Sequence, residues 1–175
     1  MTTDTLLFLD AGVVGMLAHP RGGEEPGRCR AWARGLLWAG VRLFVAEVTD
    51  YEVRRELIRA GATAGLRRLD QLRASLDYAP ITTAAVDVAC RLWAESRRRG
   101  RQTGPNYCLD CDVILAAQAL QAAGADRPVA VATSNVRHLS QFLDARPWGA
   151  IALPEPSNPM ADVRSWPLLA APGHN

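Results

Sequence analysis

Short uninterrupted apolar runs alternate with longer segments of helical period along most of the chain. The run Thr5–Leu9 stops abruptly on Asp10, a pattern that suits a central parallel strand buried on both faces. Val41–Ala46 and Val129–Thr133 have the same character, and shorter strands are predicted over Tyr78–Ile81 and Ala150–Leu153. Helices are predicted over Ala11–Ala18, Arg28–Ala39 with Gly40 as its stop, Asp50–Ala60, Thr83–Arg99, Leu109–Ala123 with Gly124 as its stop, and Asn135–Leu143. Leu66, Leu69, Leu72 and Leu76 add a stripe at the helical period. Thr49 stands where an N-cap belongs, and Thr49-Asp50-Tyr51-Glu52 has capping-box spacing, which gives Glu52 a structural reason to exist. His19 to Gly27 and Gly100 to Asn106 read as loops. Beyond Pro154 the chain is punctuated by proline and reads as irregular, with Trp166 placed to pack back on the body.

Alternating strands and helices imply an α/β fold, a mostly parallel sheet covered on both faces and joined by right-handed crossovers. At 175 residues the chain is about one domain, read here as a folded unit over 1–153 and a tail over 154–175. Active sites in such sheets lie at the carboxyl ends of the strands. That rule singles out Asp10 and the stretch Thr133-Ser134-Asn135.

Composition narrows the chemistry. All 20 basic residues are arginine, set against 18 carboxylates for a net charge of +2. Without lysine the chain has no P-loop, no Schiff-base amine and no phospho-receiver site. His19, His138 and His174 are too scattered for a zinc-binding HExxH helix, and neither GxSxG nor GxGxxG occurs. Near-neutral charge argues against a broad duplex-DNA footprint, although arginine is then the only cation that can hold a phosphate backbone. No run of eighteen apolar residues and no signal-peptide pattern is found, so the expected compartment is the cytoplasm, with no membrane partner. There the four cysteines, Cys29, Cys90, Cys108 and Cys111, should be reduced. The CxxC spacing of Cys108 and Cys111 reads as two incidental thiols at the start of a helix, since neither a second pair nor a nearby histidine supports a zinc site.

Three segments put acids at strand-to-helix junctions or early in helices: Leu9-Asp10-Ala11, Thr49-Asp50-Tyr51-Glu52, and Asp110-Cys111-Asp112. Asp10 could simply cap a helix, and acids in a first turn are favoured by the helix dipole. Asp112, however, precedes five apolar residues, and a lone carboxylate against a dry wall has its pKa raised unless a cation compensates.

Taken in order, Leu9-Asp10, Thr49-x-x-Glu52, Asp112-Val-Ile-Leu-Ala-Ala and Thr133-Ser-Asn135 make residues 5–153 resemble PIN-domain proteins, including the VapC-like toxins of VapBC toxin–antitoxin pairs. The resemblance implies a three-layer α/β/α sandwich and a metal-dependent ribonuclease that uses Mg²⁺ or Mn²⁺. It implies catalytic acids at Asp10, Glu52 and Asp112, with Asp10 and Asp112 as metal ligands and Glu52 completing the cluster or orienting a water. Thr133 and Asn135 would fix the neighbouring turn. Many relatives carry an aspartate where this chain has His138, and Asp110 could supply that carboxylate or act as a solvent-exposed helix cap. RNA is the implied substrate and a cognate antitoxin the implied partner.

Arg97, Arg98, Arg99 and Arg101 form the densest basic run, and Arg54, Arg55 and Arg59 share a helix with Glu52. Either group could guide RNA, but cations also suit a helix C-terminus, and the second group could pair with Glu52 and Glu56. Trp32, Trp38 and Trp93 read as packing residues rather than base-stacking platforms. The leucine stripe reads as core, with a homodimer or antitoxin surface as the alternative. Two other functions stay open: a catalytically impaired PIN-fold RNA-binding or scaffold module, and an RNA-processing nuclease that is no toxin. A haloacid-dehalogenase-like phosphatase would need an acid at Gly12 and a lysine.

Overall fold

A computed structural model describes residues 4–20, 23–105 and 110–153. Cys108 of the CxxC pair and the whole tail over 154–175, with Trp166 and His174, lie outside the described residues. Five strands form one sheet: β1 (Leu6–Leu9), β2 (Arg42–Ala46), β3 (Asp77–Ala79), β4 (Val129–Thr133) and β5 (Asp144–Pro147). Their order is β3-β2-β1-β4-β5 and every pairing is parallel.

Period-two alternation splits the central strands between two cores. Leu7, Leu9, Leu43, Val45, Ala130 and Ala132 face α1 (Ala11–Ala18), α2 (Glu24–Trp38) and α4 (Thr63–Ser75). Leu6, Phe8, Phe44, Ala46 and Val131 face α6 (Cys111–Ala123), where Phe8 and Phe44 stack with centroids 4.8 Å apart. Outside α6 lies α5 (Thr83–Arg98), which buries Ala89 against Val113 and Ala117. The chain is therefore an α/β/α sandwich, with both faces of β1 covered, as its unbroken apolar run requires. Among the described residues no helix is long and apolar enough to cross a membrane.

Several boundaries differ from expectation. The second helix starts at Glu24, not Arg28, because Glu24 and Glu25 suit the positive end of a helix and Pro26 occupies a first turn whose N–H groups need no partner. The helix after β2, α3 (Glu47–Arg59), opens directly on the strand's last residue, Ala46. Thr49 is consequently buried inside the helix, its Oγ1 without a hydrogen-bond partner among the described residues, and no capping box forms. The last strand lies at Asp144–Pro147, not Ala150–Leu153. It is a polar, mostly exposed edge strand that tolerates Pro147, so the signal of a buried apolar run could not find it. The predicted Asn135–Leu143 helix shrinks to α7 (Val136–Leu139), and Ile151 instead offers its carbonyl to Trp32 Nε1 at 3.1 Å.

The leucine stripe is core at Leu69 and Leu72, with Leu76 packed against the same cluster. Trp32 is buried and Trp93 packs on the α5–α6 cluster, whereas Trp38 is exposed. Cys29, Cys90 and Cys111 are all free thiols.

Gln118 has no counterpart in the sequence reading. This fully buried α6 residue accepts from Val48 N at 3.3 Å and donates through Nε2 to Ala79 O at 2.7 Å. It thus satisfies an orphan N–H at the start of α3 and a carbonyl at the end of β3. Gln118→Leu should leave both groups buried and unpaired, lowering stability by about 2–4 kcal/mol in urea unfolding. A loss below about 0.5 kcal/mol would show that the two groups find other partners.

Candidate functional site

The strand order places a topological switch between β1, from which the chain proceeds to β2 and β3 on one side, and β4, which pairs on the other. In open α/β sheets the crevice beyond the carboxyl ends at such a switch is the usual ligand site. Asp10 stands there. Its N–H donates to Ala132 O at 3.0 Å, continuing the ladder one step past β1.

Both Asp10 oxygens are engaged. Oδ1 accepts from Ala11 N at 2.6 Å, capping α1, and Oδ2 accepts from Thr133 Oγ1 at 2.6 Å. The same Thr133 hydroxyl accepts from Asn135 N at 2.8 Å. One proton from Thr133 and one from the backbone thus orient the carboxylate and the turn after β4 together. Thr133 thus ties Asp10 to the Asn135 turn, and Asp10 caps α1.

Asp112, in the first turn of α6, and Glu52, in the second turn of α3, both lie close enough to Asp10 to feel its charge. Burial pushes the Asp112 carboxyl above its usual range and the Asp10 charge pushes it further, with contact to His138 acting in the opposite direction. Glu52 is raised first by burial, then by Asp10, and in part by Asp112, while a hydrogen bond from Cys111 and the charge of Arg55 lower it. The α6 N-terminus favours a negative charge at Asp112. Desolvation and like-charge repulsion outweigh that favour. For Cys111, burial and the adjacent Glu52 push the thiol up to about 12, so it stays protonated as a donor.

His138 sits over this cluster, its Nδ1 3.2 Å from Asp112 Oδ2 and 3.1 Å from Asn135 Nδ2. An imidazole nitrogen that carries a proton donates to the carboxylate; one that lacks it accepts from the amide. His138 therefore touches both Asp112 and the Asn135 turn.

Asp110 points its bonds elsewhere. It caps α6 through Val113 N, accepts from Thr103 Oγ1, and pairs with Arg97 Nη1 at 3.6 Å. It is a buried cap, not a solvent-exposed one. Arg97 is likewise committed: besides Asp110 it donates to Gly104 O at 3.0 Å and lies 3.9 Å from the Trp93 ring centroid. Arg99 pairs with Glu95, while Arg98 and Arg101 are exposed. Of the expected basic run, Arg97 thus holds the α5–α6 junction together.

On α3, Arg59 pairs with Glu56 at 2.6 Å, and Arg54 pairs with Asp50 at 3.0 Å and Asp70 at 2.8 Å. Arg55 is only 3.9 Å from Glu56 and lies instead 5.2 Å from the centroid of Tyr51. An apolar groove of about 1080 Å³ opens between α3, α5 and α6, with Tyr51, Ile81, Val86, Trp93 and Ile114 in its walls. Tyr51, half-exposed here, had as its one signal in the sequence an aromatic residue directly before Glu52, and Cys111, read as incidental, lies against Glu52.

Among the described residues, no three His, Cys, Asp or Glu side chains form a ready-made metal cage. Mg²⁺ needs none, since it keeps several waters and binds through one or two carboxylates. Compared with known proteins, the chain matches no family model and no curated protein.

The raised carboxyls give a sign to pH dependence. A group with a higher pKa folded than unfolded favours the folded state while protonated, and that advantage is lost as pH rises through its folded pKa. Without divalent ions, Asp112→Asn should therefore raise the melting temperature at neutral pH, and the gain should vanish at pH below the carboxylate range. A variant less stable than the wild type at pH 7.5 would show that Asp112 is stabilised as an anion instead.

Proposed function

We propose that this protein is a divalent-metal-dependent ribonuclease of PIN type, hydrolysing RNA phosphodiesters as the toxin of a VapBC-like pair. The carrying observation is the proximity of Asp10, at the β1/β4 switch, to Glu52 and Asp112, whose ionisation its charge makes costlier. A divalent cation removes that cost, and hard oxygen donors suit Mg²⁺ or Mn²⁺. Asp10 and Asp112 are the residues that would hold it, with Glu52 completing the set. When bound, such an ion supplies Lewis-acid polarisation of the phosphodiester and of the attacking water.

The chain's own residues do the rest. Ala11 N and Thr133 Oγ1 fix the plane of the Asp10 carboxylate, so it is presented without reorganisation. Glu52, beside Asp10 and Asp112, would complete the cluster or orient the attacking water. The Cys111 thiol holds that carboxylate in place. Asn135, bonded through its backbone to Thr133, and Asp112 both reach His138 Nδ1, which bonds one or the other according to whether it carries a proton. The family resemblance extends the proposal to a cognate antitoxin that covers the site.

A second reading, an RNA-binding or scaffold module without cleavage, draws on His138, which occupies Asp112 Oδ2 where many relatives carry a further acid. Inducible expression of the wild type and Asp10→Asn, with RNA ends mapped, separates the readings. Asparagine still caps α1, so circular dichroism should be unchanged while Mg²⁺-dependent cleavage falls by about a hundredfold or more. Growth arrest with new RNA ends only in the wild type supports the toxin. Cleavage without arrest supports a processing nuclease. Equal cleavage by both proteins overturns the assignment, and no cleavage by either leaves the binding module.

A further inference from the structure

We propose that Tyr51 and Arg55 form a nucleotide platform at the edge of the acidic crevice: an unpaired base stacks on the Tyr51 ring and its phosphate pairs with Arg55. Two residues four apart share one surface of a helix, and Glu52 lies between them in sequence. Tyr51 is 50% exposed, a large aromatic left open to solvent directly beside a catalytic candidate. The Arg55 guanidinium, 5.2 Å from the ring centroid, sets a cation against that π surface and is close enough to act on the charge of Glu52.

The other arginines of α3 do not compete for this role. Arg54 is clamped between Asp50 and Asp70 and Arg59 by Glu56, whereas Arg55 has one long ion pair, 3.9 Å to a Glu56 already engaged, and a hydrogen bond with the Tyr51 side chain that holds it beside the ring. Its planar fork of five donors therefore has capacity for a phosphate. Tyr51 also forms part of the wall of the apolar groove, so the ring is continuous with further surface on which an unstacked base can rest. A base inside a duplex offers no free face, which selects single-stranded RNA. The neighbouring acids repel phosphate, and Arg55 is the cation placed to offset them.

The platform rests on the ribonuclease reading for its place in catalysis, but it is tested by binding alone. The probe is a fluorescein-labelled, 2′-O-methyl single-stranded dodecamer, resistant to cleavage, followed by anisotropy against the full-length protein in Mg²⁺ at several salt concentrations. Tyr51→Ala should weaken binding about tenfold or more while leaving the salt slope unchanged, and Tyr51→Phe should bind within about twofold of wild type. Arg55→Met should weaken binding and make the slope of log K against log salt shallower by about 0.7. Hybridising the probe to its complement should abolish the Tyr51 effect. Both side chains are exposed, and unchanged melting temperatures would confirm intact folds. Tyr51→Ala binding like wild type overturns the platform even if RNA is cleaved. Tyr51-dependent binding with no cleavage of any RNA upholds the platform and removes the ribonuclease. A wild type that does not bind the single strand overturns the platform outright.

Discussion

The parallel register of β1 between β2 and β4 is the constraint on which the rest of the molecule depends. It pairs Leu9 with Val45 on one side and Ala132 on the other, so the next residue on each strand emerges at the same edge. Asp10 and Thr133 meet there because of that register, and α3 begins there because β2 ends there. A one-residue slip would exchange the two faces of β1. Leu7 and Leu9 would then lose the α1–α2–α4 core, Leu6 and Phe8 the α6 core, and the Thr133 hydroxyl would no longer meet Asp10. Fold and site are therefore specified by the same hydrogen bonds.

What that edge gathers is electrostatically unfavourable. Desolvation and mutual repulsion raise Glu52 and Asp112 despite a helix N-terminus, a thiol donor and a nearby guanidinium. Carboxyls perturbed in this way concentrate at functional sites. Elsewhere arginine pairs with buried and exposed acids alike, as in Asp50 with Arg54, Asp110 with Arg97, and Asp77 with Arg42. The contrast in pairing sets the cluster apart from the structural ion pairs, and it is sharper than any count of acids against arginines.

Much of this was legible in the sequence, for identifiable reasons. Buried parallel strands write themselves as uninterrupted apolar runs, so β1, β2 and β4 were found almost to the residue. Asp10 stood out because aspartate at the end of such a run needs a reason. Where burial is weak the signal fails, as at the polar edge strand β5. Local rules also yield to tertiary ones: Thr49-x-x-Glu52 has the letters of a capping box, yet the strand runs straight into the helix and Gln118, seventy residues away, supplies the cap. Freed from capping, Glu52 turns to the acidic crevice. The contacts of His138 with Asp112 and of Cys111 with Glu52 are long-range products of the fold that no spacing rule foretells. Arg97, conspicuous in a basic run, proved to be half of a buried ion pair.

The central claim, that the three carboxylates act as one cation site, is tested most directly by thermal unfolding during a Mn²⁺ titration of the wild type and Asp112→Asn. At metal concentrations about a hundredfold above the dissociation constant, the wild type should gain about 5–10 °C and saturate, while the variant should gain little. Equal shifts in both proteins, or no saturable shift in the wild type, would contradict the account.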